Sequence, residues 1–472
     1  MRLARGSPRS IVHSPKSIVQ SLESRDLLER LGRIALRLGT RSFLVGGPVR
    51  DLVLGAGEVR SQKLDIRSQK SPTSTPMSVR LPDLDVAVED RSREFGTAVA
   101  REFGGRFVFH SRFLTGTVFL RKPQGSSHKI QAGLPDHIDI TQTRTETYPR
   151  PAVLPQVKPA SIVADLARRD FSINAMALEI APDSFGTFID PYHGRDDLAG
   201  HRVRILHERS FIDDPTRIFR CIRFAIRLGF AIEPGTLELL RRAIEHRYPA
   251  LLTPERILYE LRLICAEPLG LPMVEALIHE QVLEAAWRWT PPRHFLAGMT
   301  KLRRACSAGL GTRSEIPDGF RSCPSADLLF IYWLSVLPVT DRFPIRKEER
   351  EAAEAVAGFA RLKDTHKLEY KPKLKPSAIY QALRDQPETA LMILAAIESQ
   401  PVARHIKTFL GELRHVSISV TGKDLRAAGL KPGPAFREIL DKLLFARLDG
   451  RIRTVADEHA LLRRLAARRK DV

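Results

Sequence analysis

Cysteine is scarce: the chain of 472 residues has four, at positions 221, 265, 306 and 323, far apart and with no C-x-x-C pair. This excludes a zinc site built from paired thiolates and the dense disulfide framework of a small secreted scaffold, and a reducing compartment is the simplest setting. Long apolar runs are also missing. The longest, from about Leu328 to Val339 and bracketed by Asp327 and Asp341, is too short for the roughly 20 residues a membrane helix needs. It is expected as a buried helix, with no membrane partner. No internal repeat of fixed period occurs, so a solenoid is not indicated. Acidic residues are outnumbered, 55 Asp plus Glu against 75 Lys plus Arg, for a net charge of +20. Such an excess concentrates a polyanion around the surface before any specific contact forms. Nucleic acid is the leading partner class, with a generally solvated basic surface as the plainer alternative. The first 22 residues hold Arg2, Arg5, Arg9 and Lys16 but no acid, as in a disordered basic arm or, alternatively, an organelle transit peptide. The expected location is cytoplasmic.

What is present is enough to build several cores: 43% of the residues are hydrophobic, and the length allows about three domains. Residues 25–40 carry apolar side chains at helical spacing, SFLVGG reads as a short strand entering a turn, and VRDLVLG begins a second helix. Residues 61–80, rich in Ser, Gln, Lys and Pro, have too little apolar surface to order themselves and read as a mobile insertion. LDVAVE (84–89), GRFVFH (105–110), TGTVFLRK (115–122) and HIDITQTR (137–144) alternate as strands do, with a helix over 92–103 between them. From about residue 208 helical periodicity takes over, as in DPTRIFRCIRFAIRLGF and PERILYELRLICA. A small α/β domain is therefore followed by a helical half.

The chemistry concentrates in three places. In LPDLDVAVED, Asp83 and Asp85 stand one residue apart, so a strand points both carboxylates the same way, close enough to share a divalent cation. The preceding turn, FLVGGPVRD, with Gly46, Gly47 and Arg50, offers backbone N–H groups to a phosphate. Asp139 lies on a further strand, either as a third converging carboxylate or as a polar residue on the wet face of the sheet. In ARRDFSINAMAL (167–178), Arg169 offers a permanently charged fork to phosphate oxygens and Asp170 can accept from a ribose hydroxyl. Phe171, Ile173, Met176 and Leu178 read as the apolar stripe of an amphipathic helix there. Finally, Asp213 and Asp214 precede Pro215 at a helix start, and Arg217, Arg220 and Arg223 recur every three residues as a basic ridge. Asp214 and Arg217 together could present acceptor and donors to a base edge, or simply pair with each other along the helix.

The ordered set GGPVRD, DLD, RRDFSINAMA, DDPTR and PERILYEL, from about Phe43 to Cys265, resembles the class II tRNA nucleotidyltransferases, the family of CCA-adding enzymes and bacterial poly(A) polymerases. Residues 421–454 are similar to the C-terminal segment of bacterial members. The resemblance implies an α/β head with a polymerase-β-like palm sheet over 25–180, an all-helical neck over 181–270, and a helical body and tail over 271–472 that grip the acceptor stem and 3′ end of tRNA. It implies that Asp83 and Asp85 bind catalytic Mg2+, that Gly47 and Arg50 hold the nucleotide's phosphates, and that Arg169 and Asp170 contact triphosphate and ribose. Asp214 and Arg217 would read the base, with Arg220 and Arg223 extending the nucleotide site. The implied activity is template-independent addition of CCA to tRNA from CTP and ATP. A poly(A) polymerase, a CC-adding or A-adding specialist, and a non-catalytic RNA-binding protein are the alternatives. Three features depart from the family pattern: Asp213 stands where a glutamate is usual, the 61–80 insertion separates turn from aspartates, and Leu114 occupies a glycine position.

Overall fold

The computed structural model describes residues 25–55, 84–120, 135–308, 325–337, 343–369 and 373–470. The basic arm, the 61–80 insertion and Asp83 lie outside the described residues. The chain divides into two compact units, one running up to Leu252 with His279–Trp287, the other comprising Thr253–Ile278 and Arg288–Val472.

The first unit begins with α1 (Arg25–Arg37), β1 (Ser42–Val45), α2 (Gly47–Val53), β2 (Leu84–Val88) and α3 (Ser92–Glu102). It continues with β3 (Arg106–His110), β4 (Thr115–Phe119), β5 (His137–Gln142), β6 (Arg144–Thr147), β7 (Gln156–Pro159), α4 (Ile162–Ala167), β8 (Ala177–Glu179) and β9 (Phe188–Ile189). Seven strands form one sheet in the order β3-β4-β5-β2-β1-β8-β9, with β2 and β5 parallel and the other neighbours antiparallel. Alternation along the strands sorts the side chains by face. Val118, Ile138, Ile140, Leu84, Val86 and Val88 are fully buried on one face, the side against which α3 packs on β3, β4 and β5. Gly96 of α3 permits that approach, because a Cβ there would lie 2.2 Å from the Phe107 ring. On the other face Phe43, Val45, Ala87 and Ala177 form a core with Ile162 and Leu166 of α4 and with Ala175. Asp85, two residues before Ala87, shares that second face.

Two local readings need correction. HIDITQTR is not one strand: β5 ends at Gln142, and β6 leaves to pair with β7 in a separate two-stranded sheet. Thr143 makes the break, since its N–H goes to the Val88 carbonyl and its hydroxyl to that of Ala160. Nor is 167–178 an amphipathic helix. After α4 the chain makes one 3-10 turn, Ser172–Asn174, and enters β8. The Asp170 carboxylate takes the Phe171 N–H at 2.9 Å, and the Ser172 N–H goes to the Arg204 carbonyl at 2.9 Å. Side-chain capture and a cross-chain bond thus replace the i to i−4 ladder.

Beyond the sheet, the short turn Ser210–Asp213 leads into α5 (Thr216–Leu228), whose buried residues include Ile218, Phe219, Cys221 and Ile222. Arg202–Val203 and Ala231–Ile232 form a two-residue parallel ladder, a small exception to the helical character of this region.

The second unit is helical throughout its described residues. The apolar run forms the helix Ser325–Val336, with every residue from Leu328 to Leu334 buried, as its all-round hydrophobicity requires. No described helix is long and apolar enough to cross a membrane. The C-terminal helices Gly422–Ala427, Pro434–Leu448 and Val455–Lys470 share a core of Leu425, Ile439, Leu443 and Leu462 with Val420.

Candidate active site

The parallel register of β2 and β5 sets Asp85 opposite Asp139, and the antiparallel register of β4 and β5 sets Thr117 opposite Asp139. Three polar side chains therefore stand in a row across adjacent strands on one face. The Thr117 hydroxyl donates to Asp139 Oδ1 at 2.6 Å, while Asp139 Oδ2 lies 3.7 Å from His137 Nε2. The Asp139 side chain is 45% exposed, so it meets solvent.

The glycine turn closes on the same place. Gly46 adopts φ 71°, ψ −130°, a conformation that L side chains avoid. A Cβ there would sit 2.9 Å from Arg169 Nη1 and 3.7 Å from Asp85 Oδ2, which locates both charged groups against the bend. The Gly46 N–H is already donated to the Met176 carbonyl at 3.4 Å. Arg169 is anchored by Asp165, whose Oδ2 accepts from Nη2 at 3.0 Å. Asp165 is fully buried, and its Oδ1 accepts from Arg168 at 2.7 Å. Burial alone pushes the Asp165 carboxyl upward, but the adjacent Arg169 and Arg168 hold it below the usual carboxylate range.

Several residues expected at the nucleotide are less open than the sequence suggests. Arg50 is only 4% exposed; it donates to Asp51 Oδ1 at 2.7 Å and to Asn174 Oδ1 at 2.8 Å. Asn174 returns its amide to Asp170 at 3.0 Å, and Asp170 accepts from Arg220 Nε at 2.9 Å. A continuous, largely buried chain thus runs from α2 through the RRD segment to the half-buried Arg220 on α5. Burial raises the Asp170 carboxyl, but Arg220, the Asn174 amide and Arg217 outweigh it and hold the group at about 2. Asp214 accepts from the Thr216 N–H at 3.0 Å and from its hydroxyl at 2.6 Å. Arg217, also buried, donates to Ser210 Oγ at 2.6 Å and to the Arg168 carbonyl at 2.7 Å. Arg220 and Arg223 share α5 with it, and Arg223 is buried too.

Sequence reading missed Asp165, Asn174 and Thr117 as organisers of this site. Asn174 lay inside the quoted motif, whereas Thr117 needed the strand register. Leu114, at the glycine position, does take the left-handed conformation, φ 53°, beside Phe113, whose carbonyl accepts from Arg144.

As to a metal, no cluster of three or more His, Cys, Asp or Glu is formed among the described residues. Asp85 and Asp139 supply hard carboxylate oxygens on neighbouring strands, and this donor chemistry fits a hard divalent cation.

Residues 42–204 match the Poly A polymerase head domain family. An A-adding tRNA nucleotidyltransferase of Halalkalibacterium halodurans is 30% identical over 422 residues, spanning 88% of this chain and 86% of that protein. The chain belongs to the class II tRNA nucleotidyltransferase family. A second family member named A-adding, from Geobacter sulfurreducens, is 32% identical over 93% of this chain, which covers only 47% of that longer protein. Among solved structures, a CCA-adding enzyme in complex with CTP aligns with a TM-score of 0.69 at 26% identity, covering 96% of this chain and 97% of that one. The Thermotoga maritima CCA-adding enzyme complexed with tRNA aligns at 0.64 and 25% identity, covering 96% and 98%. The tRNA nucleotidyltransferase architecture, a mixed-sheet head followed by helices, is thereby common to this chain and these enzymes.

Proposed function

We propose that the chain adds nucleotides to the 3′ end of tRNA without a template, building or repairing the terminal CCA from CTP and ATP and releasing pyrophosphate. The observation that carries this reading is the meeting of Asp85, Asp139, the Gly46 bend and Arg169 on one face of the sheet. A nucleotidyl transfer needs carboxylates where the reacting oxygens meet and fixed cations where the phosphates lie.

In this proposal Asp83 and Asp85 hold Mg2+, which when bound would stabilise charge developing on the α-phosphate as a Lewis acid. Asp139 orients the ribose hydroxyl and takes its proton on Oδ2, with Oδ1 fixed by Thr117. Arg169, preset by Asp165, holds the triphosphate. Gly46 and Gly47 let the phosphates approach the backbone, and Asp170, Arg220 and Arg223 border the ribose and phosphates. Arg50 acts from behind, through Asn174, because it is buried. Asp214 and Arg217 read the base, with the Arg168 carbonyl and Ser210 setting the angle of the guanidinium. The scattered cysteines fit a reducing, cytoplasmic setting.

A second reading, an A-adding specialist, is favoured by the names of the Halalkalibacterium and Geobacter relatives. One assay separates the two. Purified protein receives labelled CTP or ATP with tRNA lacking three, two or one terminal residues, beside an unstructured RNA. CCA addition extends all three tRNAs; an A-adding enzyme extends only the tRNA that lacks its final A. Tailing of unstructured RNA with ATP alone would instead indicate a poly(A) polymerase. Asp85→Ala is expected to lose incorporation by orders of magnitude while retaining tRNA binding, and unchanged activity would remove the carboxylate from the mechanism.

A further inference from the structure

The buried half of α5 contains an arrangement that none of the roles above uses. Phe224, 7% exposed, has four guanidinium groups over its ring. The carbon of Arg50 lies 5.2 Å from the centroid, Arg220 5.6 Å, Arg223 5.7 Å and Arg227 5.7 Å. Three of these come from α5 itself: Arg220 and Arg227, four and three residues from Phe224, share its face of the helix, and Arg223 is its immediate neighbour in sequence. The fourth reaches over from α2, directly after the Gly46 bend. Phe171, one residue past Asp170, closes the arrangement with an edge contact, centroids 5.7 Å apart and planes at 75°. The electron-rich faces of an aromatic ring attract cations, and its edge geometry suits a second ring. Four like charges drawn to one ring also repel each other, so a multivalent anion bound beside them would relieve that repulsion.

We propose that Phe224 is the positioning residue of the nucleotide-phosphate site: its ring is the common seat that spaces Arg220, Arg223 and Arg227 to meet a polyphosphate, with the buried Arg50 bracing the ring from behind. This rests on the nucleotidyl-transfer reading only for the identity of the polyphosphate as that of a nucleoside triphosphate. Ion pairs fix individual members, Arg50 to Asp51 and Arg220 to Asp170, but Phe224 is the contact that all four share. The inference also brings Arg227 into the site, beyond the ridge at Arg217, Arg220 and Arg223.

The test compares Phe224→Leu, which keeps apolar bulk but removes the π face, with Phe224→Tyr, which keeps the ring. Phe219→Leu serves as the control, a fully buried phenylalanine of the same helix. Calorimetric titration with inorganic tripolyphosphate reads the cluster without base, ribose or turnover. Affinity is expected to fall about tenfold in Phe224→Leu, and to stay near wild type in Phe224→Tyr and Phe219→Leu. In the incorporation assay Phe224→Leu raises KM for the nucleotide by a similar factor, with kcat changed much less. Wild-type tripolyphosphate affinity in Phe224→Leu overturns the inference. Equal losses in Phe224→Tyr or Phe219→Leu, or no tripolyphosphate binding by the native protein, overturn it as well. A native protein that binds tripolyphosphate with the expected ranking of variants, yet incorporates no nucleotide, overturns the nucleotidyl-transfer reading and leaves this inference standing.

Discussion

Replacing Asn174 by aspartate changes one amide nitrogen to oxygen at the centre of the buried chain that links α2 to α5. In the native protein Asn174 Nδ2 donates to Asp170 Oδ1 at 3.0 Å, and Asn174 Oδ1 accepts from Arg50 at 2.8 Å. Asn174→Asp converts the first contact into two carboxylate oxygens facing each other. At that separation and an effective dielectric near 20, two unit charges repel by ~5 kcal/mol. The bond from Arg50, already charge-assisted in the native protein, gains a second charge but returns only ~2 kcal/mol because Asp51 already pairs that guanidinium, leaving a net loss of ~3 kcal/mol at neutral pH. For a unit of this size such a loss lowers the melting temperature by about 6–12 °C. The pH dependence gives a sharper check. The new pair is forced to share a proton, so one of its folded-state pKa values rises above the unfolded one. The penalty is then fully present above that raised value and is relieved as pH falls toward the unfolded value. The melting gap between variant and native protein should therefore shrink between pH 7 and pH 5, followed by circular dichroism. A gap equal at both pH values, or a variant that melts with the native protein, would refute the assignment of the Asn174 amide to Asp170.

Asp170 itself gives the opposite slope in the native protein. Its carboxyl is held at about 2 against an ordinary 3.8, so it contributes ~2 kcal/mol that is present above the ordinary value and lost as pH falls through the folded one. Asp170→Asn should therefore weaken acid sensitivity below pH 4 in melting experiments, although the variant is less stable at neutral pH. Gly46→Ala places a side chain at φ 71° with its Cβ 2.9 Å from Arg169; it should cost about 1–3 kcal/mol and raise KM for the nucleotide through displacement of that arginine. In the second unit, Glu458 is fully buried and accepts from the Ser419 N–H at 2.8 Å and from Arg447 at 3.0 Å. Glu458→Ala should destabilise the tail by about 1–3 kcal/mol through the Ser419 N–H it leaves unsatisfied, read as faster amide exchange confined to the C-terminal helices.

The parts of this molecule legible in the sequence are those whose physics is local. The strand at 84–88, the helix at 92–102 and the helix α5 follow from period-2 and period-3.6 spacing. The face that Asp85 shares with Ala87 likewise needed only a strand's alternation. What escaped was set by partners distant in sequence. Thr143 stops β5 because Val88 and Ala160 lie on either side of it. The RRD segment leaves helix because Arg204 offers its carbonyl to Ser172, a partner 32 residues further on that no window around 167–178 contains.

The same distinction explains why Arg50 was read as a phosphate ligand. In sequence it is an arginine three residues past a glycine turn, the position from which a guanidinium reaches a bound phosphate. In the fold that guanidinium is drawn inward by Asp51, Asn174 and the Phe224 ring, while Arg169, from a segment more than a hundred residues later, fills the space above Gly46. The two readings predict different kinetics. An arginine that touches phosphate loses transition-state and ground-state stabilisation when replaced by lysine, because lysine lacks the fork. An arginine that holds Asn174 and a ring from behind loses stability first: Arg50→Lys should lower the melting temperature, and its activity loss should shrink on cooling, when the buried chain is intact. Arg169→Lys should lose activity at every temperature with little change in melting. If the two variants behave in the reverse manner, Arg50 is the phosphate ligand after all, and the buried chain from α2 to α5 is not what positions the nucleotide.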